Sequence, residues 1–231
     1  MDFSPAKRRA ALEALNLIPE VGVVGLGSGS TAAVFIEGVA DAVRSGKRLS
    51  CVATSEQSRR QALKLNIPLL DNAGPWDIDV CVDGADEVSE NLDLIKGGGG
   101  CHLREKIVNK SSRFNVIIVD ESKLSVQLGR RSVVPVEVVV FGHAGTAQWL
   151  RKYGAATLRV ENGEPWRTDT GNFIYDVKVG AIANPAKLDE ELHSIPGVVE
   201  TGLFVARADL LIVGHATGVR RVQRQPSVRP L

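Results

Sequence analysis

Val21-Gly22-Val23-Val24-Gly25-Leu26-Gly27-Ser28-Gly29-Ser30-Thr31 is the stretch that decides the fold. Its first six residues make the short apolar run of a buried strand, and the turn Gly27-Ser28-Gly29-Ser30 ends it. From Thr31 to Val43 the apolar residues Val34, Phe35, Val39 and Val43 recur at helical spacing, so the turn feeds a helix.

The same rhythm extends on both sides. A helix is expected over Ala6 to Leu15, then a strand over Leu49 to Ala53 and a helix over Ser55 to Leu65 with Ser55 as its N-cap. Ile78 to Val82 reads as a strand, His102 to Lys110 as a helix, and Asn115 to Val119 as a further strand. This alternation predicts an α/β fold: a Rossmann-like, mostly parallel sheet with helices on both faces. After Arg131 the order becomes strand (Val136 to Val140), helix (Thr146 to Tyr153), strand (Ala156 to Val160), strand (Phe173 to Val179), helix (Pro185 to Ser194), strand (Val198 to Phe204). That order is the ferredoxin-like split motif of an α+β domain. Asp209 to Gly214 then returns as a buried strand of the first domain. The expected division is a Rossmann-like catalytic domain over 1–131 and 205–231, with an inserted ferredoxin-like small domain over 132–204. The tail from Val219, with Arg220, Arg221, Arg224 and Arg229, is expected to be a solvated, poorly ordered end.

Composition narrows the function classes. Of 231 residues, 44% are apolar and 24% charged, and the formal net charge is +1, so no global field points to nucleic acid or a membrane surface. Met1 to Leu17 lacks the unbroken apolar core of a signal peptide, and no apolar stretch approaches the roughly 20 residues of a membrane-spanning helix. Three widely spaced cysteines (Cys51, Cys81, Cys101) and four histidines without H-x-H or H-x-x-x-H pairs suggest neither a disulfide framework nor a zinc site. A reduced, cytoplasmic, metal-free protein is the expectation.

In open α/β sheets ligands bind beyond the carboxyl ends of the strands. Four polar segments follow predicted strands here: Ser28-Gly29-Ser30-Thr31, Asp83-Gly84-Ala85-Asp86-Glu87, Lys96-Gly97-Gly98-Gly99 and Asp120-Glu121-Ser122-Lys123. The first resembles a phosphate loop, with a helix N-terminus and two hydroxyls, although a tight turn alone can require its glycines. It is not a dinucleotide fingerprint, because Ser30 replaces the third glycine. In the second, Asp83 and Asp86 flank Gly84; facing carboxylates would raise each other's pKa for acid/base work, while an Asx-turn with helix capping is the alternative, and Glu87 is read as a solvated neighbour. The third belongs to the run Lys96 to Gly100, followed by Glu105. Four glycines are costly to order unless something lies against the main chain, the alternative being a flexible loop. Glu105 falls in the first helical turn, where a carboxylate can also simply satisfy the helix dipole. Lys123 could be an ordinary surface lysine. Together the segments favour a small phosphorylated substrate.

With those residues the chain resembles the A-type ribose-5-phosphate isomerase family over nearly its whole length. The likeness rests on Gly27 to Thr31, Asp83 to Glu87, Lys96 to Gly100 with Arg104-Glu105-Lys106, and Asp120 to Lys123. Thr168-Asp169-Thr170-Gly171-Asn172 and Pro196 to Phe204 fit the family pattern as well. Ser28 stands where the family usually has threonine, and Cys101-His102 replaces smaller residues. The resemblance implies an aldose–ketose isomerase without cofactor or metal, acting on a sugar phosphate as a homodimer or homotetramer. It implies Glu105 as the base, with Asp83, Asp86 and Lys96 assisting ring opening and holding hydroxyls. Ser30, Thr31 and Lys123 would contact the substrate at its phosphate, helped by Lys7; Ser28, Gly29, Gly84, Ala85, Gly97, Gly98 and Gly99 complete the implied binding set. The competing reading is another sugar-phosphate enzyme on a related fold, such as an amino-sugar phosphate isomerase/deaminase or a lactonase.

Overall fold

The computed structural model describes residues 4–224, which fall into two compact units. The first comprises residues 4–85, 104–123 and 206–224; the second comprises Asp86–Leu103 and Leu124–Val205.

The first unit holds a six-stranded sheet in the order Val219–Gln223, Leu210–Gly214, Asn115–Asp120, Val80–Asp83, Val21–Leu26, Arg48–Ala53. The last five strands are mutually parallel, and Val219–Gln223 is the antiparallel edge. Alternate side chains leave a strand on opposite faces, and the sequence uses both. Val24, Leu26, Val82, Ile118 and Ile212 pack with Ala10 and Ala14 of helix Pro5–Ala14 and with Phe35 and Val39 of helix Gly29–Arg44. The intervening positions Val23, Val52 and Cys81 meet Val108 of helix His102–Lys110. Helices therefore cover both faces, as the apolar runs predicted. Full burial of a side chain such as Phe35 stabilises the fold by about 1.5–3 kcal/mol.

Capping residues set the helix starts. Lys7 N donates to Ser4 Oγ at 3.4 Å ahead of Pro5, and Ser58 N donates to Ser55 Oγ at 3.1 Å. One expectation is overturned: the segment from Val219 is an ordered edge strand paired along Leu210–Gly214. Arg221 pairs with Glu13 at 2.5 Å and Arg224 Nε donates to the Ala208 carbonyl at 3.0 Å, so the arginines tie the edge down. Charged side chains on an edge strand also oppose pairing with foreign strands. Arg229 lies outside the described residues.

The second unit contains a four-stranded antiparallel sheet in the order Val198–Thr201, Val134–Val138, Phe173–Lys178, Ala155–Leu158. Helices His143–Leu150 and Pro185–His193 follow its first and third strands in chain order, giving the split β-α-β pattern read from the sequence. Val134, Val136 and Val138 point into a core with Tyr175, Val177, Leu150 and Leu192. Glu137, between them, faces the other way and is buried. Its Oε1 accepts from Thr168 Oγ1 at 3.0 Å, from Asn172 Nδ2 at 2.9 Å and from the Thr170 hydroxyl.

The second unit is drawn differently from the expected 132–204 segment, because it includes a three-stranded sheet of Glu87–Val88, Leu94–Ile95 and Leu203–Phe204. Leu203 pairs with Ile95 and Phe204 with Leu94, which draws residues 86–103 to that unit. The expected strand Val198 to Phe204 consequently breaks at Gly202, where it passes from one sheet to the other. A Cβ there would lie 2.3 Å from the Lys96 carbonyl oxygen and 2.7 Å from Pro135 Cδ, so the crossing requires glycine.

Candidate functional site

In the first unit, chain order along the sheet reverses between Val21–Leu26 and Val80–Asp83, the topological switch point at which α/β sheets bind ligands. Gly27 and Asp83 stand at those two strand ends. A Cβ on Gly27 would lie 2.5 Å from Asp83 Cα, so glycine is what lets the strand ends approach. Asp83 is buried, and its Oδ1 accepts from Ser28 N at 2.9 Å and Gly84 N at 2.7 Å.

Ser28 is the N-cap of helix Gly29–Arg44 by position, yet its side chain makes no capping bond. Its Oγ instead meets Thr54 Oγ1 at 2.8 Å and Ser55 Oγ at 2.7 Å, so its amide and hydroxyl are both engaged within the fold. Ser30 and Thr31 follow in the first helical turn, where main-chain N–H groups lack intrahelical partners. Lys7 Nζ donates to Ser30 Oγ at 3.2 Å, bringing a cation to that helix end. Lys7 also lines a groove of about 510 Å³ between Ser4, Asp120, Glu121 and Gly214. Lys123 is half-buried and ends the turn Glu121–Lys123 that follows strand Asn115–Asp120.

Glu105 sits in the first turn of helix His102–Lys110 and is 6% exposed. Its neighbour Arg104 donates to Glu56 Oε1 at 2.9 Å and holds that carboxyl below its ordinary range. The Glu105 carboxylate is thus largely withdrawn from water.

In the second unit, Asp86, Lys96 and the glycine run form one assembly. Lys96 is buried; its N–H donates to the Gly202 carbonyl at 2.9 Å, and its Nζ lies 5.6 Å from the Phe204 ring centroid. Asp86 Oδ2 accepts from Gly98 N at 2.7 Å. The glycines are packed rather than loose. A Cβ on Gly97 would reach 2.7 Å from His102 Nδ1, and one on Gly98 would reach 2.7 Å from Asp86 Oδ1. Gly100, at φ +75°, lies under the Trp166 ring, which a Cβ would approach to 1.9 Å. Gly99 alone of the four has no atom within 4 Å of where its Cβ would be. Arg159 Nη1 donates to the carbonyls of Gly97 at 2.9 Å and Gly98 at 3.1 Å.

Three features escaped the sequence reading. Glu87 is fully buried rather than solvated, because its Oε2 accepts from the N–H groups of Gly129 at 3.1 Å and Ser132 at 3.0 Å. Arg159 and Trp166 reach the glycine run from about 60 residues away along the chain, with no local motif to announce them. The third is a cluster of Asp189, His193 and Glu200. His193 Nε2 lies 2.8 Å from Glu200 Oε1, and Nδ1 lies 3.3 Å from Asp189 Oδ1 and 2.8 Å from the Asp189 carbonyl. Hydrogen bonds to Asp189, then to Glu200, push the imidazole up to about 10. The imidazole and the two carboxylates pair as an ion triad. The i, i+4 spacing of Asp189 and His193 was its only signal in the sequence.

The family model described as Ribose 5-phosphate isomerase A (phosphoriboisomerase A) matches residues 50–218. A ribose-5-phosphate isomerase A of Thermomicrobium roseum is 46% identical over 231 residues, covering 99% of this chain and 98% of the relative. The ribose 5-phosphate isomerase A structure from Methanocaldococcus jannaschii superposes with a TM-score of 0.90 at 38% identity, covering 94% of this chain and 98% of that one. A D-ribose-5-phosphate isomerase solved in complex with phospho-erythronic acid gives a TM-score of 0.92 at 38% identity, covering 97% and 100%. This chain belongs to the ribose 5-phosphate isomerase A family.

Proposed function

We infer that this chain interconverts D-ribose 5-phosphate and D-ribulose 5-phosphate through an enediolate, the aldose–ketose step of the non-oxidative pentose phosphate pathway. Identity along the full length supports the reading, as does a structural relative solved with phospho-erythronic acid, a phosphorylated sugar acid. The observation that carries the mechanism is the buried Glu105 carboxylate on the helix that directly follows the glycine run in the chain.

In our proposal Glu105 takes the proton from C2 of the open-chain aldehyde and returns it to C1. A proton on O2 passes to O1 in the same conversion, so the sum is an internal shift that needs no redox cofactor. Negative charge builds on the carbonyl oxygen as C2 loses its proton. Lys96 and the main-chain amides of Gly97 and Gly99 stabilise it, and one such donor is worth about 3–4 kcal/mol. Asp83, Asp86 and Lys96 open the sugar ring and hold its hydroxyls beside Gly84 and Ala85. The helix end of Ser28, Gly29, Ser30 and Thr31 takes the phosphate with Lys7 and Lys123, anchoring the sugar for the proton transfer.

We further propose a homodimer or homotetramer, for which the exposed side chains Val139, Phe141 and Trp149 supply an apolar face. A cytoplasmic setting fits this metabolic role; among the described residues no helix is long and apolar enough to cross a membrane.

The test is isomerisation in deuterium oxide. Deuterium should enter C1 of ribulose 5-phosphate. Glu105→Gln should still bind ribose 5-phosphate in a calorimetric titration while turnover falls by about 10²–10⁴-fold. Near-normal turnover in that variant would remove Glu105 from the role of base.

A further inference from the structure

A loop of four glycines poses a physical problem for the isomerase reading, on which this inference rests. Electrostatic stabilisation works when donors are already aimed before charge develops. Glycine is the residue least able to aim its own peptide groups, since it accepts both signs of φ at similar cost. The turn bond from the Gly100 N–H to the Gly97 carbonyl, at 2.9 Å, holds one carbonyl from within, and the remaining freedom needs a support outside the loop.

Arg159 is placed to do this. Its Nε donates to Asp176 Oδ2 at 2.9 Å and its Nη2 to Asp176 Oδ1 at 2.5 Å, a two-point pairing that fixes the guanidinium plane. The remaining nitrogen, Nη1, donates to both the Gly97 and Gly98 carbonyls. The pair is largely buried, with 17% of the Arg159 side chain and 24% of the Asp176 side chain exposed. Trp166, whose N–H donates to the Arg159 carbonyl at 2.9 Å, lays its ring against Gly100 and keeps its centre 5.7 Å from the guanidinium carbon. In a trans peptide the N–H points opposite to the preceding carbonyl. Holding the Gly97 carbonyl therefore sets the Gly98 N–H, which donates to Asp86, and holding the Gly98 carbonyl sets the Gly99 N–H.

We propose that Arg159, oriented by Asp176, is a positioning residue for the isomerisation: by holding the Gly97 carbonyl it keeps the Gly98 amide on Asp86, and by holding the Gly98 carbonyl it locks the Gly98–Gly99 peptide plane so that the Gly99 amide faces the developing oxyanion. It touches no substrate itself. Lysine could not replace it, because one ammonium group cannot pair with a carboxylate at two points and hold two carbonyls from one plane.

The experiment compares Arg159→Met, Arg159→Lys and Asp176→Asn with the wild-type chain by three readouts. These are amide hydrogen exchange over residues 96–101 without substrate, kcat and KM for ribose 5-phosphate, and the melting temperature. In Arg159→Met, exchange in that segment should quicken while distant segments keep their rates. Its kcat should fall by about 10–100-fold, the scale expected for misaimed groups, with KM changed by less than about threefold. Asp176→Asn should move the same way by less, and Arg159→Lys should recover only part of the loss. Unchanged exchange overturns the clamp. Faster exchange with unchanged kcat, or a rise in KM alone, overturns the positioning role. If Arg159→Met folds poorly, the other two variants decide: losses that merely track their folded fraction also overturn it. A wild-type chain that fails to convert ribose 5-phosphate, with the exchange difference intact, would instead sink the isomerase reading.

Discussion

Two of the glycine-bearing turns, Gly27–Thr31 in the first unit and Gly97–Gly100 in the second, use glycine differently. In the first, the missing Cβ of Gly27 is explained from inside the fold by Asp83, and Ser28 turns its amide and hydroxyl inward to Asp83, Thr54 and Ser55. In the second, His102, Asp86 and Trp166 account for Gly97, Gly98 and Gly100, and no atom of the described residues lies within 4 Å of where a Cβ on Gly99 would be. A glycine that its own fold explains reports on packing. Gly99, which such packing does not account for, is the glycine that we propose meets substrate at the main chain.

The comparison breaks most visibly at Gly100. Gly100→Ala drives a methyl into the Trp166 ring at a positive φ, so we expect about 1–3 kcal/mol of lost stability by denaturant titration and a kcat at least tenfold lower. Gly99→Ala is the counterpart: its melting temperature should stay within about 2 °C, while KM for ribose 5-phosphate rises by roughly tenfold. Equal melting temperatures for the two variants would erase the distinction between an internally packed and a ligand-facing glycine.

A smaller effect is expected at the first turn. Lys7→Ala and Lys123→Ala remove the cations that we propose anchor the phosphate, so KM should rise several-fold, about 1 kcal/mol of binding, and kcat should fall less. A larger loss in kcat than in KM would move these lysines into the chemistry and make the two turns alike.

The smallest effect separates the units by pH. Raised from 6.5 to about 10, His193 contributes stability that is fully present below about 6.5 and is lost as pH rises through about 10. Glu200, which pairs with His193, also presents its carbonyl to His102 Nε2 at 3.4 Å, behind Gly97. The gap in melting temperature between wild type and His193→Gln should therefore shrink between neutral pH and pH about 10, with faster exchange in residues 97–102 and not in 27–31. A gap that stays constant across that range would show the triad contributes nothing through its charge.

What could be read from the chain depended on the length of each signal. Runs such as Val21–Leu26, and the helix Gly29–Arg44 with Val34, Phe35, Val39 and Val43 at helical spacing, carry enough side chains to declare themselves. The two-residue strands Glu87–Val88, Leu94–Ile95 and Leu203–Phe204 do not, and missing them misjudged both the second unit's limits and the burial of Glu87. Val219–Gln223 was misread because its arginines look solvent-loving, when an edge strand can keep them exposed and still pair. The candidate residues were legible because polar groups at strand ends are conspicuous against apolar runs. The grip of Arg159 on the glycine carbonyls was not, since contacts across 60 residues leave no local pattern.

Gly202 carries a consequence for how this chain tolerates change. The Lys96 amide hangs from the Gly202 carbonyl, and the Gly202 amide hangs in turn from Pro135 at 2.7 Å. The segment Val198–Phe204 thus acts as a ruler for the lysine's height, and each residue inserted or removed there would shift it by about 3.3 Å. Length variation among natural variants should accordingly collect at sites such as the exposed Asn162–Gly163 hairpin tip and spare this span.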